Sequence, residues 1–216
     1  MSVRESRAAG YESPRPDVTA HVPRGASRIL DIGCSSGSLG ASIKARQPAR
    51  VVSVDVVSEY IDEAIGRIDR AECMDARSFV ESHLDGERFD CIVCADVLEH
   101  LVDPWATLRA ATQHLDPGGT VVISLPNVLW FQNALRLFRE RRWPLEDQNI
   151  FDRTHLRWFS LADAHALMTS AGVQVVRTEF RYWDGRTWLL PLLRLATRTR
   201  FATFVAAQHI VVGRKS

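Results

Sequence analysis

No stretch of the chain approaches the about 18 consecutive apolar residues that a membrane span requires. The opening MSVRESRAAGYESPRPD also lacks the apolar core of a secretory leader. Neither export nor membrane spanning is expected, and a cytoplasmic location is the prediction. Cysteine is scarce: the four residues at 34, 73, 91 and 94 show no disulfide-framework spacing. Cys91 and Cys94 form a CxxC inside an apolar run that reads as a strand. Three residues apart on a strand, their side chains point to opposite faces, which argues against a shared metal or redox pair. Internal repeats and low-complexity tracts are also missing.

With 46% hydrophobic and 25% charged residues, the 216-residue composition excludes disordered, collagen-like and disulfide-scaffold classes. A chain of this length can bury roughly 70% of its unfolded surface, so neither metal nor disulfide is needed merely to fold. The net charge of +1 hides an asymmetry: residues 1–133 hold 13 basic and 19 acidic residues, and 134–216 hold 14 and 7. An anionic partner or substrate for the second half is one reading, and cancellation on folding is the other.

After a Pro/Arg-rich arm (1–24), short β-branched runs alternate with helical patterns. This predicts a single α/β domain over 25–216, doubly wound around a largely parallel sheet. Strands are expected at 28–32, 50–55, 71–75, 89–95, 120–125, 173–180 and 204–213, with helices at 39–46, 59–68, 76–84, 105–115 and 161–171. Asp116-Pro117-Gly118-Gly119 stops a helix and turns into a strand, and Ser160 with Asp163 forms a capping box. Two inserts break the alternation, at 126–158 and 185–200, and inserts on such a scaffold commonly carry substrate contacts.

The segment RILDIGCSSGSLG is a strand, a loop with Gly33, Gly37 and Gly40, then a helix whose N-terminus offers unpaired N–H donors. The dinucleotide fingerprint GxGxxG fits poorly: reading from Ser35 gives SxGxxG and from Gly33 gives GxSxxS, so the loop alone leaves NAD open. Asp55, ending the second strand, is placed to accept from two ribose hydroxyls, or to cap the next helix. Asp75 ends the third strand and Ala76 follows it, where a carboxylate and the next N–H can meet an adenine. Ala95 ends the fourth strand over the glycine loop.

Taken together, DIGCSSG, Asp55, Asp75, VLEHLVDP and LDPGGTVVISLPN resemble the class I S-adenosylmethionine (SAM)-dependent methyltransferases, in order and spacing, across residues 28–127. The resemblance implies a seven-stranded Rossmann-like sheet ordered 3-2-1-4-5-7-6 with the last strand antiparallel. It also implies SAM as cofactor: Asp31 and Gly33 against the methionine moiety, Gly37 in the same loop, Asp55 on the ribose, Asp75 and Ala76 on adenine, the Ala95 carbonyl on the ammonium. The departure is Ser35, with Ser36, where the family carries glycine between the two loop glycines. Either hydroxyl can donate to the cofactor's carboxylate.

A hydroxyl acceptor benefits from a base, and His100 and His155 are the candidates. The stretch PNVLWFQNALRLF…NIFDRTHLRWFS resembles a methyltransferase subgroup often encoded beside sugar- and polysaccharide-building enzymes. That likeness implies O-methylation of a small-molecule acceptor, with no nucleic acid involved. Trp130, Phe131, Trp143, Trp158 and Phe159 are expected to wall the acceptor pocket, and Arg153 and Arg157 to clamp an anion or to pair with Asp147 and Asp152. No metal is expected. The alternative is a set of Asp96, Glu99, His100 and His155, similar to the site of small-RNA 3′-end 2′-O-methyltransferases and, for the first three, of metal-assisted ubiquinone-pathway O-methyltransferases. Residues 186–201, apolar between arginines and interrupted by Pro191, suggest a packed lid or a homodimer contact. A nicotinamide-dependent oxidoreductase and a SAM-binding protein without turnover stand as rivals.

Overall fold

The computed structural model describes residues 13–182 and 202–216. The strands are β1 (Arg28–Ile32), β2 (Arg50–Asp55), β3 (Arg70–Cys73), β4 (Phe89–Ala95), β5 (Leu115–Pro126), β6 (Val173–Arg181) and β7 (Gln208–Lys215). They form one sheet in the order β3-β2-β1-β4-β5-β7-β6. The first five are mutually parallel, and β7 runs antiparallel to both β5 and β6. This is the expected α/β topology.

The apolar runs of β1, β2 and β4 are buried on both faces, as parallel strands covered by crossover helices must be. One face, carrying Leu30, Ile32, Val52, Val54, Ile92 and Cys94, packs against helices α4 (Ala76–Ser82), α5 (Pro104–Gln113) and α7 (Leu161–Ser170). The other, carrying Ile29, Val51, Cys91 and Val93, packs against α2 (Ser38–Arg46) and α3 (Ser58–Ala64). Cys91 and Cys94 therefore lie in different cores, on opposite faces as expected. The described part of the arm belongs to the second core: α1 (Pro16–Thr19) carries the fully buried Val18, and Val22 follows it.

Boundaries differ from the sequence reading where side chains compete with the backbone pattern. β3 ends at Cys73 because Asp75 turns away to cap α4, accepting from the Ser78 N–H at 2.9 Å. β5 already begins at Leu115, absorbing Asp116-Pro117-Gly118-Gly119 with Gly118 at φ 72° and a register shift against β4 between Phe89 and Cys91. β7 begins at Gln208 because residues before it form the short α8 (Ala202–Val205), where the Thr203 carbonyl and that of Ala206 just after the helix accept from the Asn127 carboxamide at 2.5 and 2.7 Å. Inside the insert at 126–158 runs α6 (Phe131–Glu140), which the sequence reading did not place although its apolar residues recur at helical spacing. Its apolar residues Phe131, Leu135 and Phe138 face outward, Phe138 being 83% exposed, while Asn133 is the residue it buries. The insert expected at 185–200 lies outside the described residues.

The capping box forms as read: Ser160 accepts from the Asp163 N–H at 3.3 Å while Asp163 accepts from the Ser160 N–H at 2.9 Å. We expect Ser160→Ala to lower stability by about 1 kcal/mol. Urea unfolding should report it as a lower midpoint with an unchanged slope.

Candidate active site

A cavity of about 450 Å³ opens at the C-terminal ends of β1, β2, β4 and β5. It lies where β1 is flanked by β2 and β4, so that connections leave on opposite sides of the sheet, the usual place for a ligand in an open α/β sheet. Its floor is the loop after β1. Gly33, Ser35 and Gly37 alternate there in left-handed conformation, with φ of 78°, 48° and 76°. A Cβ on Gly33 would sit 2.4 Å from the Val97 side chain, so no other residue fits. The N–H groups of Gly33 and Cys34 reach the Val54 carbonyl at 2.9 and 3.3 Å, and that of Ser35 reaches Asp55 Oδ2 at 2.9 Å. Asp55 Oδ1 accepts from Val57 N–H at 3.1 Å, which fixes both oxygens at the end of β2.

Beneath the loop, Asp31 is buried and its Oδ2 has no partner. Burial, and secondly the Asp55 charge, push its carboxyl up to about 7. Of the sequence-predicted residues, Asp31, Gly33, Ser35, Asp55 and Ala95 line the cavity. Gly37 instead caps α2, and Asp75 and Ala76 stand outside the cavity wall at the start of α4.

On the acceptor side the histidines come together, with ring centroids 4.7 Å apart. His155 Nδ1 lies 3.2 Å from the Ile150 carbonyl, which can only accept, so Nδ1 carries the proton. His100 Nδ1 faces the Thr154 carbonyl at 3.3 Å and its hydroxyl oxygen at 3.0 Å, and that hydroxyl gives its own proton to Asp152 at 2.6 Å. In the neutral form of either ring Nε2 is then the basic nitrogen. Glu99, 2% exposed, places Oε1 4.0 Å from His155 Nε2 and leaves Oε2 without a partner. Burial and the nearby Asp96 hold its carboxyl well above the usual range.

Ligand atoms of Glu99, His100 and His155 lie within 4.8 Å of one another. Asp96, the fourth residue of the alternative metal set, does not join them. Only Leu98–His100 makes a single 3-10 turn, so the expected shared helical face is not formed, and Asp96 sits before it at φ 55°. Its carboxylate is taken by the Arg15 guanidinium, by Gln208 and by the Ser124 hydroxyl at 3.1 Å.

The aromatic wall is also corrected. Only Trp130 of the five lines the cavity. Phe159 is core, 5.9 Å from Trp105, and Trp143 packs edge-on against Phe151 and Trp158 at 5.0 and 5.4 Å, away from the cavity wall. Arg153 pairs with Asp147 at 2.9 Å, whereas Arg157 donates to the Val102 carbonyl at 2.6 Å and not to an acid. The sequence reading missed Arg15, whose arm carries no motif. It also missed Tyr60 and Gln208, which line the cavity from α3 and β7. Thr154 was legible only as part of DRTHLRWFS.

Asp31 generates a pH prediction. Its folded value lies above that of an unfolded Asp, so the folded state holds an extra proton from about pH 4 to 7, and this group's contribution to stability declines as pH rises across that window. Asp31→Asn should raise the melting temperature by a few degrees at pH 8 and leave it near wild type at pH 4. Paired thermal melts along a pH series check it.

A methyltransferase-domain family model matches residues 6–178. A ubiquinone biosynthesis O-methyltransferase of Xanthomonas campestris pv. campestris (strain B100) is 34% identical over 114 residues, 51% of this chain and 47% of that protein. The chain thus spans about half the length of the curated relatives it matches. A SAM-dependent methyltransferase from Archaeoglobus fulgidus superposes with a TM-score of 0.70 at 17% identity, over 98% of this chain and 97% of that one. The N-methyltransferase NodS of Bradyrhizobium japonicum WM9, solved with S-adenosyl-L-homocysteine, gives a TM-score of 0.55 at 18% identity, over 88% and 78%. The sheet order, the left-handed glycine loop and a family match over most of the chain converge: the chain belongs to the methyltransferase-domain family, among the class I SAM-dependent methyltransferases.

Proposed function

We propose that the chain transfers a methyl group from SAM to a hydroxyl of a small-molecule acceptor, with a histidine as base. The residues present suit that cofactor. The partnerless oxygen of Asp31 beside the Ala95 end of β4 suits an ammonium, the fixed Asp55 carboxylate suits a ribose diol, and the bare Gly33 backbone allows close approach. Ser35 completes the loop side. Asp75, exposed at the start of α4, and Ala76, buried just after it, are the residues toward which an adenine would extend, an assignment that rests on family resemblance.

When bound, SAM supplies a methyl carbon on a sulfonium whose sulfur leaves as a neutral thioether. The chain's share is positioning, which can account for about 7–11 kcal/mol of a barrier, and proton removal. The observation that supports the base assignment is that each Nδ1 faces a backbone carbonyl, an acceptor that favours a proton on Nδ1 and so the basic lone pair on Nε2 of His155 and of His100, both of which line the cavity. As the new O–C bond forms, the acceptor's hydroxyl proton passes to one of these nitrogens. That the curated relatives are ubiquinone biosynthesis O-methyltransferases supports an oxygen acceptor.

A second reading has an observation of its own. Glu99, His100 and His155 form a compact mixed O/N donor set, and the unpartnered Glu99 Oε2 is what a cation would satisfy. A divalent ion such as Mg²⁺ or Mn²⁺ held there would act as a Lewis acid toward the acceptor oxygen. Chelator separates the two: the base reading expects turnover that survives EDTA.

Calorimetry with S-adenosyl-L-homocysteine tests the cofactor, and Asp55→Ala should weaken its binding by about 10–100-fold. Binding of NADH with none of the thioether would favour the oxidoreductase instead. For the base, His155→Ala should lower kcat on a hydroxylated acceptor by about 10²–10⁴-fold while leaving thioether affinity intact. Product mass spectrometry, reading the gain of one methylene, checks this. A silent His155→Ala with no methylated product on any acceptor would point to a binding protein without turnover.

A further inference from the structure

Two serines occupy the loop position and its neighbour where the family carries glycine, and the fold treats them differently. Ser36 is fully buried away from the cavity. Its hydroxyl accepts from Arg67 Nη1 at 2.9 Å and pairs with the Ser38 hydroxyl at 3.1 Å. Ser35 lines the cavity, is 7% exposed, and its hydroxyl has no hydrogen-bond partner. It also holds φ 48°, a left-handed conformation that glycine adopts without strain and serine does not. The protein therefore bears both backbone strain and a dry, unpaired hydroxyl at one residue of the cavity floor.

We infer that the Ser35 hydroxyl is a recognition group, donating its hydrogen to the carboxylate of the amino-acid tail of the bound adenosyl cofactor; this rests on the SAM reading above. The charge of the surrounding wall selects that acceptor. Asp31 and Asp55 offer acceptors to ammonium and hydroxyl donors, so an anionic tail at the same loop needs a donor. The Ser35 N–H is already given to Asp55. Arg15, the one arginine among the described lining residues, has its guanidinium engaged by Asp17, Asp96 and the Ser124 hydroxyl. Among the side chains of this loop, Cys34 and Ser36 are already engaged, and the hydroxyl of Ser35 is the donor left without a partner. It makes affinity depend on the tail as well as on the nucleoside, at the expense of the ligand-free protein's stability.

The test is calorimetry of wild type, Ser35→Ala and Ser35→Gly with two ligands, S-adenosyl-L-homocysteine and 5′-methylthioadenosine, which shares the nucleoside thioether but lacks the amino-acid tail. Melting of the ligand-free proteins accompanies it. Both variants should bind S-adenosyl-L-homocysteine about tenfold more weakly and methylthioadenosine as wild type does. Ligand-free Ser35→Gly should melt no lower than wild type, because the strain is gone. Unchanged affinity in both variants overturns the inference. So does a loss in Ser35→Ala that Ser35→Gly restores, since that would reflect the bulk of the Cβ, and so does an equal loss for both ligands, which would place the hydroxyl on the ribose. A wild-type protein that binds neither ligand takes down the SAM reading, and this inference with it.

Discussion

The grip of the β1 loop on the end of β2 is the contact on which the rest of the site depends. Gly33 and Cys34 give their N–H groups to the Val54 carbonyl and Ser35 gives its own to Asp55, so two parallel strands are joined one residue beyond the point where their ladder stops. Only alternating left-handed residues aim three nearby N–H groups at the neighbouring strand end. The same turn leaves Asp31 sealed beneath, starts α2 at Gly37 and presses the bare Gly33 against Val97. Loop, strand end and the segment after β4 are thereby one unit, and moving any of them displaces the carboxylates of Asp31 and Asp55.

Much of the scaffold was legible in the sequence because buried parallel strands leave an unambiguous mark. The runs RILDI, RVVSVD and FDCIVCA are apolar on both faces, and their limits agree with the structure to the residue. Limits drifted where one polar side chain decides them. Asp75 ends β3 early by capping α4, and the Asn127 carboxamide holds the two carbonyls of the α8 region, which delays β7. α6 escaped notice for a different reason: Phe131, Leu135 and Phe138 do recur at helical spacing, but inside an insert that breaks the strand–helix alternation, and spacing does not tell that the stripe faces outward.

On the loop side of the cavity, Asp31, Gly33, Ser35, Asp55 and Ala95 sit at fixed offsets from strand ends and line it as read, whereas Gly37, Asp75 and Ala76 do not. The side toward the insert was less legible. Whether Asp96 joined Glu99 and the histidines depended on Arg15, 81 residues away on a segment with no motif. Once that guanidinium sits at the end of β4, the Asp96 carboxylate is held in an ion pair and is no longer available as a ligand beside the other three, although its charge is still felt at Glu99. The aromatic residues misled for a related reason. Composition shows that rings are concentrated between 130 and 159, yet which of them turn inward is decided by contacts among the rings themselves, and Trp143, Phe151 and Trp158 pack on one another.

One carbonyl joins those outer rings to the chemistry. Ile150 accepts from His155 Nδ1 at 3.2 Å and, on its other side, from the Trp158 indole at 3.4 Å. Trp158 is 43% exposed and leans on the equally exposed Trp143, so the tilt of a buried imidazole is set in part by rings that the solvent, or whatever molecule arrives, can touch. The exterior of the insert is in this way joined to the interior through a single peptide group, and a shift of the surface rings reaches the His155 imidazole without crossing the sheet.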